Sequence, residues 1–307
     1  MLNIPRVSSV LATVTLESFF FGIYLIVTAT ALILLLKRRA ESVSTRPGHR
    51  RLAVLLGISA LFLVVAGHWV NTVYRFFFAF VYFAADGINP MGFYSDWAQP
   101  TEVLQTGFLM ASLTIMDALI VHRLWIIWGY KKRVVVFPLC TLFGLLVSGV
   151  GVTYEFSRYA PGDEVWPVVA DHWIIADCAF TILTNLYCTG FMAYRLWRTD
   201  RIIRPLGGPT IMSVLRIIIE STALSAGWCI FFIAAYSAQS NLRFLVDITP
   251  SVVGALNMLV YMRTGMGWNR AQESDPAKQV ILTSFIHSQR KKLRSSIAAE
   301  SELDSVV

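Results

Sequence analysis

Residues 14–36 read VTLESFFFGIYLIVTATALILLL, and Lys37, Arg38 and Arg39 follow at once. About 20 apolar residues in a helix cross the hydrocarbon core of a bilayer. This stretch is long enough and holds one charged residue, Glu17. It ends on a basic cluster of the kind retained on the cytosolic side. It predicts a transmembrane helix that enters from outside and stops at Lys37. It does not read as a cleaved leader. Arg6 is the lone basic residue before it, the apolar run is too long, and no small-residue cleavage site follows.

The rest of the chain is built the same way. Of 307 residues, 56% are hydrophobic and 15% charged. A soluble domain carries about a quarter charged residues. The mean hydropathy is +0.60. A chain this apolar needs lipid around its helices. Further spans are predicted at 52–74, 103–127, 134–154, 172–196, 214–237 and 243–262. The second run continues through 76–83 as FFFAFVYF, an aromatic end that projects beyond the membrane or bends along its surface.

The loops set the orientation. Loop one (37–51) carries Lys37, Arg38, Arg39, Arg46, Arg50 and Arg51. Loop three carries Lys131, Lys132 and Arg133, and loop five Arg198, Arg201 and Arg204. Loop two (84–102) has no Lys or Arg but holds Asp86, Asp96 and Glu102. Loop four (155–171) sets Arg158 against Glu155, Asp163, Glu164 and Asp171. Basic and non-basic loops alternate at every crossing, and an even number of spans would break the alternation. The expected fold is therefore all-α: an integral membrane seven-helix bundle over 1–268, with the N-terminus outside and the C-terminus cytosolic. The host membrane is the plasma membrane or an endomembrane. A polar tail, 269–307, holds the basic run QRKKLR at 289–294 and an acidic, serine-rich end. It is expected to be disordered, either as a solubilising tail that fixes topology or with a short helix on the anionic inner leaflet. The net charge of +7 does not indicate nucleic acid, because the basic residues sit in short clusters between apolar runs.

Catalytic and metal-binding patterns are missing from the sequence. Cys140, Cys178, Cys188 and Cys229 all fall in apolar runs, which argues against an extracellular disulfide framework. No CxxC, His-Glu-x-x-His, Gly-x-Ser-x-Gly, P-loop or N-x-S/T sequon occurs. Asp117 and His122 are five apart and point in different directions, a poor metal pair. The chain is expected to be no enzyme and to need no metal or cofactor.

Ionisable residues inside spans are costly, so each is a functional candidate. They are Glu17, His68, Asp117, His122, Arg123, Asp177 and Glu220, with Asn71, Asn185 and Asn257 adding uncharged polarity. Glu17 and Asp177 lie towards outer ends, where they can reach the interface. Glu220 can pair with Arg216, four residues before it. Asp117 sits near the middle of span three, so its partner is His68 or a polar group on another helix. It is either a structural anchor or part of a ligand or switch site. Asp117, His68, Asn185, Glu220 and Glu17 are the ligand or switch candidates. Spans three and five close alike, on Arg123-Leu124-Trp125 and Arg195-Leu196-Trp197. There Arg123, Trp125, Arg195 and Trp197 act as a cytosolic membrane anchor or as a lock that opens on activation. Leu16-Glu17-Ser18 is echoed by Ile219-Glu220-Ser221 in a helix of opposite direction, a weak sign of an inverted repeat.

Familiar seven-helix machines can be compared with these residues. Span seven has no lysine for a retinal Schiff base. Val121-His122-Arg123 stands where rhodopsin-like receptors carry Asp/Glu-Arg-Tyr, and Asn257-Met258-Leu259-Val260-Tyr261 lacks their proline. A different set of residues does match a family. It comprises Glu17-Ser18 and Gly22; His68-Trp69, Arg75 and Phe80; Asp117 with Arg123-Leu124-Trp125 and Trp128; Thr184-Asn185, Thr189 and Tyr194-Arg195-Leu196-Trp197; Ile219-Glu220-Ser221 with Ala223-Leu224; and Arg263 before Gly265 and Gly267. In these the chain resembles a large group of seven-helix membrane proteins from mushroom-forming (basidiomycete) fungi. It departs in span seven, where Val253-Gly254-Ala255-Leu256-Asn257 replaces a Gly-x-x-Pro-Thr-like stretch. The resemblance implies the architecture and a fungal source, and no activity. The favoured role is a receptor-like sensor, with the lipid bilayer and a cytosolic protein at the inner loops and tail as partners. The alternatives are a small-solute or proton transporter or channel, and a non-catalytic membrane scaffold.

Overall fold

The computed structural model describes residues 6–41, 49–83, 93–94, 98–159, 166–203, 220, 223–225, 227–232, 234 and 244–273. The regular elements among the described residues are all helices. In chain order they are α1 (Arg6–Glu41), α2 (His49–Phe77), α3 (Pro100–Ile127), α4 (Lys132–Ser157), α5 (Trp166–Ile203), the shorter α6 (Ala223–Phe232) and α7 (Phe244–Glu273). Residues 1–263 form one compact unit and 264–307 a second, of which the described part is the end of α7. Most of the expected sixth span (214–237) and of the polar tail lies outside the described residues.

Among the described residues, five helices are long and apolar enough to cross a membrane, over Ser9–Lys37, Leu52–Val81, Pro100–Ile127, Lys132–Ser157 and Val169–Arg201. This is what a multi-pass membrane protein requires. The helices outrun the apolar stretches that announce them. Hydropathy reports what lies in lipid, whereas a helix runs until something caps or breaks it. Thus α1 begins at Arg6 and α5 at Trp166, well before residues 14 and 172. The aromatic end of α2 resolves into a π-helical segment, Phe78–Phe83, which widens the helix by one residue per turn. Its rings pack on their neighbours: Tyr74 on Phe78 at 5.8 Å and Phe78 on Phe93 at 5.4 Å.

α3 opens with Pro100, whose missing N–H costs nothing in a first turn. It closes at Gly129 and Tyr130, both left-handed with φ of 61° and 65°. The amide of Tyr130 donates back to Trp125 O at 3.0 Å, which satisfies an end carbonyl and reverses the chain into α4.

α3 is the central helix, packed against α2, α4 and α5, while α1 packs on α2 and α4 on α5. Glycines let α4 approach closely. A Cβ on Gly144 would stand 2.7 Å from the Phe180 ring, and one on Gly151 2.7 Å from Trp173. Pro138 lies within α4 and Pro250 within α7. One apolar core joins Tyr24, Leu61, Met116 and Met258 across α1, α2, α3 and α7. A second joins Leu124, Val135, Cys188, Met192 and Val260 from α3, α4, α5 and α7. The outward faces are apolar too, with Leu63, Phe143 and Ile26 exposed by 69%, 68% and 65%. Such faces suit lipid rather than water.

Candidate functional site

The buried polar side chains gather in three places along α3. The first lies where α2 stops and α3 starts. Glu17 of α1 and His68 of α2 are fully enclosed, with Oε1 and Nδ1 2.7 Å apart. α1 starts at Arg6, about three turns before Glu17, and the Glu17 side chain lies enclosed in the bundle. On α2, residues 68, 72 and 75 recur at i, i+4 and i+7 and share a face. That face meets 101, 102 and 105 of α3. Gln105 donates to Thr72 Oγ1, and Asn71 donates to Gln105 Oε1 and to Thr101 O at 2.9 Å. Arg75 pairs with Glu102 and lies 6.0 and 5.4 Å from the Phe93 and Tyr94 ring centres. Trp69 donates its indole N–H to Ser18 at 3.1 Å and stacks on Phe21.

Asp247 of α7 lies within electrostatic reach of Glu17, His68, Glu102 and Arg75. The cluster therefore holds three carboxyls against one guanidinium and one imidazole. Glu17 Oε2 and His68 Nε2 are buried without a protein hydrogen-bond partner. Nearby, burial pushes the Tyr94 hydroxyl up to about 12, against the pull of Arg75, so it stays protonated.

The second place is half-way along α3. Asn185 of α5 donates to Asp117 Oδ1 at 3.2 Å and to Thr181 O at 2.9 Å. Both side chains are buried. The partner of Asp117 is thus a polar group on another helix and not His68. Two α4–α5 bonds flank it, Ser148 to Asp177 at 3.0 Å and Thr184 to Thr141 at 2.8 Å. α5 starts early, at Trp166, and Asp177 lies buried in the bundle.

The third place is where α3 ends. Arg123 donates to the Asn257 side chain and to its carbonyl at 3.3 Å, and lies 4.0 Å from the Tyr261 ring centre. Asn257 in turn donates to Met116 O at 3.3 Å. Arg195 sits 5.7 Å from the Trp128 ring, whose indole N–H donates to Phe191 O at 3.1 Å. Trp125 packs edge-on against Tyr130, and Arg201 covers Trp197 at 4.1 Å.

The sequence candidates therefore fall into pairs rather than one seam. Glu17 meets His68, and Asp117 meets Asn185. Glu220 stands apart: it is exposed and 3.4 Å from Arg263, while Arg216 lies outside the described residues. Glu17 is buried and Glu220 exposed, so the two echoing glutamates do not share an environment. Gln105, Thr72 and Asp247 are absent from the sequence candidates; Arg75 entered only through the family resemblance and Glu102 only as an acidic residue of loop two. Asp247 carries the same signal as the rest, a carboxyl inside a predicted span. Arg75 could have been placed by its seven-residue spacing from His68. Among the described residues no three His, Cys, Asp or Glu side chains converge as a metal site. No protein-family model, curated protein or solved structure matches the chain.

Proposed function

We propose that this chain is a receptor-like membrane sensor without catalytic activity. In this reading it spans the bilayer seven times, with its N-terminus outside. The alternating basic loops support that topology. One observation carries the functional reading. α3 is bonded through the buried Gln105 to α2, through the buried Asp117 to α5 and through the half-buried Arg123 to α7. A ligand or proton that alters the Glu17–His68 end would change how α3 packs. The Asp117–Asn185 bond passes the change to α5. The Arg123–Asn257 contact delivers it to the inner ends of α3 and α7, where a cytosolic partner meets the basic loops. A transporter usually carries its buried charges on helices broken at the midplane. Here Glu17, His68, Asp117 and Asn185 all lie on unbroken helices, which favours the sensor.

The test is thermal stability of the purified protein and of Asp117→Asn, with a panel of small molecules and across pH. A shift seen in the parent and lost in the variant supports a sensing site. Identical curves under all conditions overturn it in favour of a scaffold. Solute or proton flux through reconstituted vesicles that Asp117→Asn abolishes would make the protein a transporter.

A further inference from the structure

The outer face shared by α4 and α5, beside the end of α3, combines features that the sensor reading leaves unused. Tyr187 donates to Val134 O at 3.2 Å, which pins α5 to the first turn of α4. Around it runs an aromatic ladder: Phe137 on Tyr187 at 4.6 Å, then Tyr187 on Phe191 at 4.3 Å. Phe137 and Phe191 are 42% and 36% exposed, so the ladder faces out of the bundle. Positions 187, 191 and 195 are spaced by four, so Arg195 continues the same face. It meets Trp128, and three residues on stands the exposed Lys131, the N-cap of α4.

The charges at this end are unbalanced. Lys131, Lys132 and Arg133 crowd the start of α4, and its first turn has no acidic residue. A helix N-terminus already carries partial positive charge, so cations there repel it. An anion held at this point relieves that repulsion. An apolar ladder that ends in cations at a membrane boundary has the chemistry of a phospholipid: acyl chain along the rings, phosphate among the cations. A choline headgroup would bring its own cation to the cluster, so the complement is a net-negative headgroup.

We propose that this face binds one anionic phospholipid, its phosphate held by Lys131 and Arg195 and an acyl chain lying along Phe191, Tyr187 and Phe137. The assignment rests on the topology proposed above only in placing the lipid in the cytosolic leaflet, where anionic lipids concentrate.

Native mass spectrometry of the full chain in detergent, with phosphatidylserine or phosphatidylcholine of identical chains, tests it without regard to leaflet. The parent should retain one phosphatidylserine in preference to phosphatidylcholine. The K131Q/R195Q variant should retain it about thirtyfold less well, as expected for two lost charges near an anionic headgroup. R38Q/R39Q removes the same charge from another basic cluster and should leave retention unchanged. Arg195 also packs on Trp128, so the exposed single substitution Lys131→Glu is measured beside it and should itself lower retention about tenfold or more. F137A/F191A should lose the lipid too, and an excess of glycerophosphoserine, which lacks acyl chains, should not displace it. Equal retention of both lipids, equal losses in the two charge-neutralised variants, or displacement by the chainless headgroup would each overturn the proposal. An inverted topology would leave these results intact and show itself only in side-specific labelling.

Discussion

A carboxyl enclosed in a helix bundle is tolerated only when something answers it, and here His68 answers Glu17 and Asn185 answers Asp117. Glu17 and His68 face one another across α1 and α2 with no exposure to solvent. Removing one partner of such a pair typically costs about 3–5 kcal/mol, because the other is left buried and unanswered. Glu17→Ala should therefore lower the melting temperature sharply, and Glu17→Gln, which can still accept a hydrogen bond, should do so much less. A double-mutant cycle with His68→Ala gives the coupling, and additive losses would mean that the pair does not interact. At Asp117 the expected asymmetry is different. Asn185→Ala strands a buried carboxyl and should cost about 1–3 kcal/mol, whereas Asp117→Asn leaves two amides able to bond and should cost less. The sequence identifies these residues because charge inside a span is expensive whatever the fold. It does not pair them. Whether Asp117 meets His68 or Asn185 depends on how each helix is rotated and which helices adjoin, and neither is written in one helix's own periodicity.

At the scale of the element, apolar run length makes α1 to α5 legible, and the glycines of α4 foretell close packing. The ends of the helices are less legible, because they depend on local capping and not on hydropathy. Hence span counting sets Glu17 and Asp177 near the helix ends, while α1 and α5 run about three turns beyond them and both side chains are buried. The π-helical turn that ends α2 is likewise hidden in a plain aromatic run, since FFFAFVYF fits an ordinary helix equally well. The glycines themselves make a contrast that can be measured. Gly151→Ala would drive a Cβ to 2.7 Å from the Trp173 ring, and Gly144→Ala one to 2.7 Å from Phe180. Overpacking of this kind costs about 1–3 kcal/mol, more than the helix propensity gained. Gly190 in α5 has nothing within 4 Å of an added Cβ, so Gly190→Ala should stabilise by about 0.5–1 kcal/mol. Thermal melts that ranked the three variants alike would show that α4 is not held by close contact.

For the whole molecule the decisive quantity is the side on which each loop lies. Outward faces as apolar as those of α1, α2 and α4 leave little doubt about the surrounding solvent, but apolarity is blind to direction. Direction comes from Lys and Arg, which resist transfer across the membrane and so remain on the cytosolic side. If loop one is inside and loop two outside, a cysteine at Gly87 should react with a membrane-impermeant maleimide in intact cells. One at Ser44 should react only after permeabilisation, and so should one at His287 in the tail. The last position is the most informative. Among the described residues five helices are both long and apolar enough to cross by themselves, so the side of the tail depends on what α6 and α7 do together. Five crossings from an outside N-terminus deliver the chain to the cytosol after α5, and two further crossings return it there. A single additional crossing would leave His287 outside, reactive in intact cells, with the tail's basic run exposed on the side that the rule forbids. Protection at both Ser44 and His287, with reaction at Gly87, requires an odd count. Reaction at His287 before permeabilisation would make it even, and would remove the cytosolic side of α7 that the Arg123–Asn257 contact needs if it is to signal inward.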